Sequence, residues 1–170
     1  MLLTIARAPR GVTPPEGTPP VAWLPWMDPV YYLTGTGTKN VATAGMFDNA
    51  VGATFSLQGT PPAGVSINTA TGVVSISTTT GIPWTTLTIR AANAAGYADV
   101  TLNIWVFTPD KTIAANAAWS TVTPSAGDIV VVRGGTYTDT QDVTGWSGTE
   151  GTPTRVVAYP GETVHFQNIE

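Results

Sequence analysis

Apolar and polar residues alternate along residues 85–106, and this alternation is the clearest structural signal in the chain. The apolar members recur at every second position of its two halves: Leu87, Ile89, Ala91, Ala98, Val100, Leu102, Ile104 and Val106. Side chains on a strand point alternately to opposite faces, so the pattern predicts two strands with one apolar and one polar face. A polar link at residues 93–96 joins them into a hairpin. A hairpin cannot bury its apolar face alone, so a second sheet must pack against it.

Shorter strand patterns extend through residues 29–107. Candidate strands lie at residues 30–33, 40–44, 53–57, 65–67, 73–77, 87–92 and 98–107. Turn signals rich in glycine and proline separate them at residues 35–37, 61–64, 71–72 and 81–83. Seven strands in about eighty residues are typical of an immunoglobulin-like β-sandwich. The cysteine pair of antibody domains is absent.

Prolines recur throughout residues 1–28 and predict an extended, semi-rigid arm in place of a folded domain. Trp23 and Trp26 lie in this arm. They either fold back onto the sandwich that follows or anchor the arm on a neighbouring subunit, because tryptophan is enriched at interface hot spots.

The chain changes character after residue 107. Residues 112–119 are rich in alanine, without glycine or proline, and predict a helix. Strand patterns follow at residues 129–132, 155–159 and 163–166. The first two begin about 25 residues apart, which suits one coil of a parallel β-helix.

The composition narrows the classes of function. Only 11% of residues are charged and the net charge is −4, which speaks against nucleic-acid binding because that requires a basic surface. The absence of cysteine excludes disulfides and zinc–thiolate sites. No apolar run approaches the ~18 residues of a membrane span, and the opening run MLLTI is too short for an export signal. We expect no cofactor, no nucleic acid and no membrane insertion.

Candidate chemistry is sparse. The carboxylates of the last segment are loop residues with no spacing that predicts convergence: Asp139, Asp142, Glu150 and Glu162. His165 is the sole histidine and makes neither a triad nor a metal site. We therefore predict no catalytic residue and no metal ligand. Aromatic side chains remain as candidates for stacking on sugars or packing in interfaces: Trp84, Trp105, Trp119, Trp146 and Tyr159.

Residues 53–106 carry a family pattern in several stretches: PAGVSIN at 62–68, TGVVSI at 71–76 and LTIRAAN at 87–93. This run resembles the immunoglobulin-like or cadherin-like modules of bacterial surface and phage proteins. Residues 77–80 depart from it, because the family often has Gly-Thr-Pro after the second stretch. The resemblance implies a spacer or binding platform and not a catalyst.

A second pattern covers the last segment: GDI at 127–129, GTY at 135–137, SGT at 147–149 and AYPGE at 158–162. It resembles the N-terminal cap and first coil of right-handed β-helix proteins of the pectate-lyase and chondroitinase-B type. The resemblance implies that a capping helix opens the β-helix and that catalytic residues lie on later coils. No catalytic residue is therefore carried over to this chain.

Together these signals predict an all-β protein in three parts. An extended arm (1–28) precedes an immunoglobulin-like β-sandwich (29–107), which leads into the capping helix and first coils of a right-handed parallel β-helix (108–170). Because a solenoid needs several stacked coils, we expect these residues to be part of a longer protein.

The favoured function is a non-catalytic structural part of a bacteriophage virion protein: a fibre, tailspike or decoration. We expect it to bind other virion proteins and host surface polysaccharide, and to assemble as a homo-oligomer such as a trimer. The candidate contact residues are Trp23, Trp26, Trp105 and Trp146. Two alternatives place the chain outside a virion: the front of a secreted polysaccharide lyase or hydrolase, or a bacterial surface adhesin.

Overall fold

The computed structural model describes residues 17–137, 143 and 145–167. These residues form fourteen strands and two 3-10 turns (Ala44–Met46 and Trp119–Thr121), with no α-helix among them, so the prediction of an all-β chain is confirmed. The strands are β1 (Val21–Ala22), β2 (Val30–Leu33), β3 (Lys39–Ala42), β4 (Phe47–Asp48), β5 (Thr54–Gln58), β6 (Val65–Ile67), β7 (Val73–Ile76), β8 (Ile82–Asn93), β9 (Gly96–Phe107), β10 (Lys111–Ile113), β11 (Ile129–Val132), β12 (Gly135–Tyr137), β13 (Arg155–Ala158) and β14 (Val164–Phe166). None of the helical turns in this part of the chain is long and apolar enough to cross a membrane.

The chain divides into two compact units, and strands β8 and β9 run through both. Of the described residues, unit 1 comprises 17–29, Thr38–Ile76 and Thr86–Asn103. Unit 2 comprises Val30–Gly37, Ser77–Thr85 and those described between 104 and 167.

Strands β2 to β9, without β4, form two sheets. One has four strands in the order β2-β9-β8-β5, and the other has three in the order β3-β7-β6. Strand β2 runs parallel to β9, whereas β5 pairs with β8, and β7 with β3 and β6, in antiparallel register. The predicted hairpin is β8 and β9, and the side chain of Asn93 closes its link by accepting a hydrogen bond from the Ala95 N–H at 2.9 Å.

The core of unit 1 consists of the side chains that the alternating pattern places on one face of each strand. Its buried apolar members are Phe47, Ala53, Phe55, Val65, Val74, Ile76, Leu87, Ile89, Ala91, Val100 and Leu102. The rings of Phe47 and Phe55 contact each other with centroids 6.0 Å apart. Full burial of one large aliphatic side chain stabilises a fold by about 1.5–3 kcal/mol. The hydrophobic effect on this face therefore accounts for the long, uninterrupted strands.

The N-terminal segment lies against unit 1 itself. Strand β1 pairs with β4, and Trp26 forms a parallel bridge with Thr101. The Met27 N–H donates to the Thr101 carbonyl at 2.8 Å, and the Thr101 N–H donates to the Pro25 carbonyl at 2.9 Å. The part of the predicted arm that the structure describes therefore folds back on its own chain. Residues 1–16 lie outside the described residues.

The second half of unit 2 is built from two parallel ladders. Strands β10, β11 and β13 form one, with Val130 between Lys111 and Val156. Strands β12 and β14 form the other, with Tyr137 beside Phe166. The predicted strands at 129–132, 155–159 and 163–166 agree with β11, β13 and β14 within one residue.

The predicted helix at residues 112–119 is wrong. Residues 111–113 form strand β10, and the chain then turns through Asn116, which adopts a left-handed conformation with φ of 60°. Ile113 is fully buried and pairs with Val132 in the parallel ladder. Tertiary burial of this isoleucine outweighs the weak helix propensity of the alanines around it.

Candidate functional site

Unit 2 carries a row of aromatic side chains, the aromatic strip, made of Tyr31, Trp84, Trp105, Phe107 and Tyr159. Tyr31 and Trp105 are register partners on the parallel strands β2 and β9. The ring of Trp105 stacks on that of Phe107 with centroids 4.1 Å apart and planes 26° apart. The centroid of the Trp84 ring lies 6.5 Å from that of the Trp105 ring, and the two ring planes are 57° apart. Trp84 is 58% exposed, so one large aromatic surface faces solvent.

Phe107 of the strip also belongs to a buried hydrophobic cluster with Leu33 and Val131. Five partly buried side chains pack against it: Tyr31, Trp105, Ile129, Val157 and Tyr159. Successive residues of β11 point to opposite faces, so Val130 and Val132 enter a different cluster, with Ile113 and Tyr137. The pleat of β11 thus fixes the strip on a rigid, buried base.

An ion pair lies at the Tyr159 end of the strip. The Arg133 guanidinium carbon is 4.3 Å from the centroid of the Tyr159 ring. Arg133 donates to Glu162 through Nη2, at 2.6 Å from Oε1, and through Nε, at 2.9 Å from Oε2. The Gly134 N–H donates to the same carboxylate at 2.5 Å. Arg133, Gly134 and Glu162 line an open cavity of about 570 Å³. The other residues that line it are Thr112, Ala114, Ala115 and Thr163.

The ion pair remains charged at neutral pH. The hydrogen bonds from Arg133, and then that from the Gly134 N–H, lower the pKa of Glu162. The hydrogen bond to Glu162 in turn raises the pKa of Arg133. A general acid needs a pKa near the operating pH, so this carboxylate is poorly suited to acid catalysis at neutral pH. The pair is instead suited to hydrogen bonding of a ligand and to holding the turn at Gly134.

Glu162→Gln is expected to flatten the loss of stability in acid. A carboxylate with a lowered folded-state pKa contributes stability above its unfolded pKa and loses it as pH falls through the folded pKa. The variant lacks this contribution at every pH, so its melting temperature should be lower at neutral pH and should fall less between pH 6 and 3. Thermal unfolding across this range measures both. Glu150→Gln, at an exposed loop carboxylate, serves as control, and equal slopes for all three proteins would contradict the expectation.

The predicted contact residues lie in separate places. Trp105 belongs to the aromatic strip of unit 2. Trp146 belongs to unit 2 as well, but its ring stacks on Trp119 at 5.7 Å and its indole N–H donates to the Val122 carbonyl at 3.2 Å. Trp146 therefore packs beside the core of the parallel ladders. Trp23 and Trp26 lie in unit 1, where they are 37% and 57% exposed.

The carboxylates and the histidine considered in the sequence form no catalytic group among the described residues. Asp139 and Asp142 lie outside the described residues. Within those that are described, no three His, Cys, Asp or Glu side chains come together as a metal site. The pairing of Arg133 with Glu162 was not predicted, because 29 residues separate them. The coil spacing of about 25 residues could have indicated this pairing, because it places residues near 160 on the coil next to those near 133.

Comparisons with known proteins find only distant likenesses. No protein-family model matches the chain, and no curated protein matches it. A candidate alpha-galactosidase from Bacteroides fragilis is similar in structure, with a TM-score of 0.42, 14% identity, and coverage of 67% of this chain and 28% of that protein. Extracellular domains 3–5 of Drosophila OTK are similar with a TM-score of 0.33, 14% identity, and coverage of 51% of this chain and 33% of that one. The chain therefore spans about a third or less of either structure.

Proposed function

We propose that the chain combines an immunoglobulin-like β-sandwich with the opening of a right-handed parallel β-helix, and that it is a non-catalytic attachment part of a bacteriophage virion protein. The sheet orders support the sandwich. Immunoglobulin-like domains place their second, fifth and fourth strands in one sheet and their third, sixth and seventh in the other. When the small sheet of β1 and β4 is left out, β2 counts as the first strand and β9 as the seventh. The sheets β3-β7-β6 and β5-β8-β9 then follow this scheme, and β2 lies beside β9.

The parallel ladders support the β-helix. Strands β11 and β13 are neighbours in register, with Ile129 opposite Arg155 about 26 residues further on. Strands β12 and β14 repeat the arrangement on a second ladder. Parallel neighbours require a crossover connection, and such crossovers are right-handed in about 98% of cases.

One observation carries the functional proposal: side chains that are buried on the first coil have register partners on the second coil that are exposed. Val130 is 0% and Tyr137 is 2% exposed, whereas their register partners Val156 and Phe166 are 42% and 43% exposed. The stack is therefore open on the side of β13 and β14. Solenoids are built by stacking coils on faces of this kind, and such stacking would give a fibre or tailspike the rod it needs to reach host polysaccharide.

Attachment to the particle is assigned to the N-terminal segment. Trp23 and Trp26 remain exposed although the backbone around them is paired. Exposed tryptophans of this kind are common interface anchors, and here they would contact other virion proteins or a second copy in a homo-oligomer, such as a trimer. The low share of charged residues, 11%, suits a surface that becomes buried in an assembly.

Mass spectrometry of density-gradient fractions from the source culture tests the proposal. Peptides of this chain should appear in the fraction that contains intact virions, at a fixed ratio to capsid proteins. Peptides confined to the cleared medium, with an N-terminus created by removal of an export signal, would contradict the proposal and favour a secreted enzyme.

A further inference from the structure

We propose that the aromatic strip and the Arg133–Glu162 pair form a binding site for a neutral polysaccharide. The inference takes the class of partner, a surface glycan, from the proposed function and assigns it to a site at the start of the β-helix. The aromatic strip supplies flat apolar contacts, and the ion pair with its cavity supplies hydrogen bonds. Both belong to unit 2.

Trp84 and Trp105 supply the stacking surface. Pyranose rings present a face of C–H groups that packs against an aromatic face, and an exposed tryptophan offers the largest such face in proteins. The two indoles lie 6.5 Å apart and are tilted at 57° to each other, so they are not stacked face to face. Trp105 is held from behind by Phe107 at 4.1 Å. Little side-chain freedom is therefore lost when a ligand binds, which favours affinity.

The ion pair supplies polar recognition without net charge. A sugar hydroxyl both donates and accepts hydrogen bonds. Arg133 offers N–H donors beside the carboxylate acceptors of Glu162, and their side chains are 44% and 28% exposed. The hydroxyl-bearing residues Thr112 and Thr163 line the same cavity. These groups match vicinal hydroxyls better than they match an ion.

The two halves of the site are physically connected. Tyr159 packs against the cluster that also supports Trp105, and its ring lies under the Arg133 guanidinium. Tyr159 therefore links the aromatic strip to the hydrogen-bonding cavity. A site with two linked parts suits a ligand of several sugar units better than a single sugar.

Charge and pairing favour a neutral glycan over other partners. An anionic polymer requires unpaired basic side chains, but the guanidinium of Arg133 already makes a bidentate contact with Glu162. A peptide bound by strand addition requires a free sheet edge, which in this sheet belongs to β2 and β5 and not to β8 and β9, where the stacking tryptophans lie. The site offers aromatic faces, hydroxyl groups and an ion pair that carries no net charge.

The test uses a printed array of purified bacterial surface polysaccharides, followed by titration with the strongest binder. Trp84→Ala is the probe variant and Tyr97→Ala is the control, because both rings are exposed, at 58% and 60%, and Tyr97 lies in unit 1, outside the proposed site. We expect the wild-type chain to bind at least one neutral polysaccharide, Trp84→Ala to weaken that binding about tenfold, and Tyr97→Ala to leave it within twofold. Trp84→Phe should retain part of the affinity. Thermal unfolding of each variant establishes that the fold is intact.

Two results would overturn the inference: binding to no neutral polysaccharide on the array, or equal losses for Trp84→Ala and Tyr97→Ala. Either result leaves the virion proposal standing if peptides of the chain are found in purified particles. Conversely, a chain that binds the array through Trp84 but is absent from particles keeps this site and refutes the virion assignment.

Discussion

Phe107→Ala is expected to lower the free energy of unfolding by about 3–5 kcal/mol, the range for truncating a buried phenylalanine. Phe107 is 3% exposed and forms one cluster with Leu33 and Val131. It also stacks on Trp105 at 4.1 Å. Truncation opens a cavity under three strands at once, and the neighbouring side chains fill such cavities only in part. Urea denaturation followed by tryptophan fluorescence measures the loss.

Phe166→Ala is the matched control for this change. It removes the same atoms from a ring that is 43% exposed, so its cost should be well below half that of Phe107→Ala. Because Trp105 loses its support, Phe107→Ala should also weaken polysaccharide binding. Equal costs for the two phenylalanines would show that the cluster around Val131 is not a tightly packed core.

Gly72→Ala is expected to lower the free energy of unfolding by about 2–5 kcal/mol, through two separate causes. Gly72 has φ of 67°, a left-handed conformation that costs an L-residue about 1–2 kcal/mol. A Cβ at this position would also lie 2.9 Å from Cδ1 of Phe55. Phe55 is buried, so its ring has little room to move, and overpacking of this kind costs about 1–3 kcal/mol. Chemical denaturation gives the total.

Gly37→Ala separates the two causes. Gly37 has φ of 81°, but a Cβ there would meet no atom within 4 Å. Its substitution therefore reports backbone strain alone, and the excess cost of Gly72→Ala reports the contact with Phe55. If both substitutions cost the same, the ring of Phe55 yields freely, contrary to the packing described here.

The strands that could be predicted from the sequence share a long alternating pattern. Residues 87–92 and 98–107 lie within β8 and β9, because the apolar residues in one register, three in the first strand and five in the second, leave a single face to bury. Val130 and Val132 mark β11 for a related reason, since β-branched residues suit a pleated surface buried on both faces. Where one physical cause dominates, local sequence is sufficient.

The failures occur where distant partners decide the outcome. The glycine and proline at residues 81–83 predicted a turn, yet β8 begins at Ile82, which is 2% exposed. Lys111–Ile113 carries no strand signal of its own and is a strand because β11 pairs with it. Three residues offer too little pattern to reveal a ladder whose partner lies about twenty residues away.

The candidate site shows the same limit. Trp105 was recognisable as an aromatic residue on the polar face of its strand, and Trp84 as one of several stacking candidates. Their mutual contact depends on how β8 and β9 align, and the base beneath them depends on β11, which lies more than twenty residues further along the chain. Composition identifies side chains that can stack, whereas register between strands determines which of them meet.

The parallel pairing of β2 with β9 has a mechanical consequence. The chain enters the four-stranded sheet along β2 and leaves it along β9. Backbone hydrogen bonds join the two segments, from the Thr101 N–H bond to the Pro25 carbonyl at one end to the Thr34 N–H bond to the Phe107 carbonyl at the other. Tension applied to the N-terminal end of β2 and the C-terminal end of β9 pulls the two strands along each other. All of these hydrogen bonds then share the load at once and do not open one by one. This part of the chain is thereby built to resist stretching along the direction of its strands.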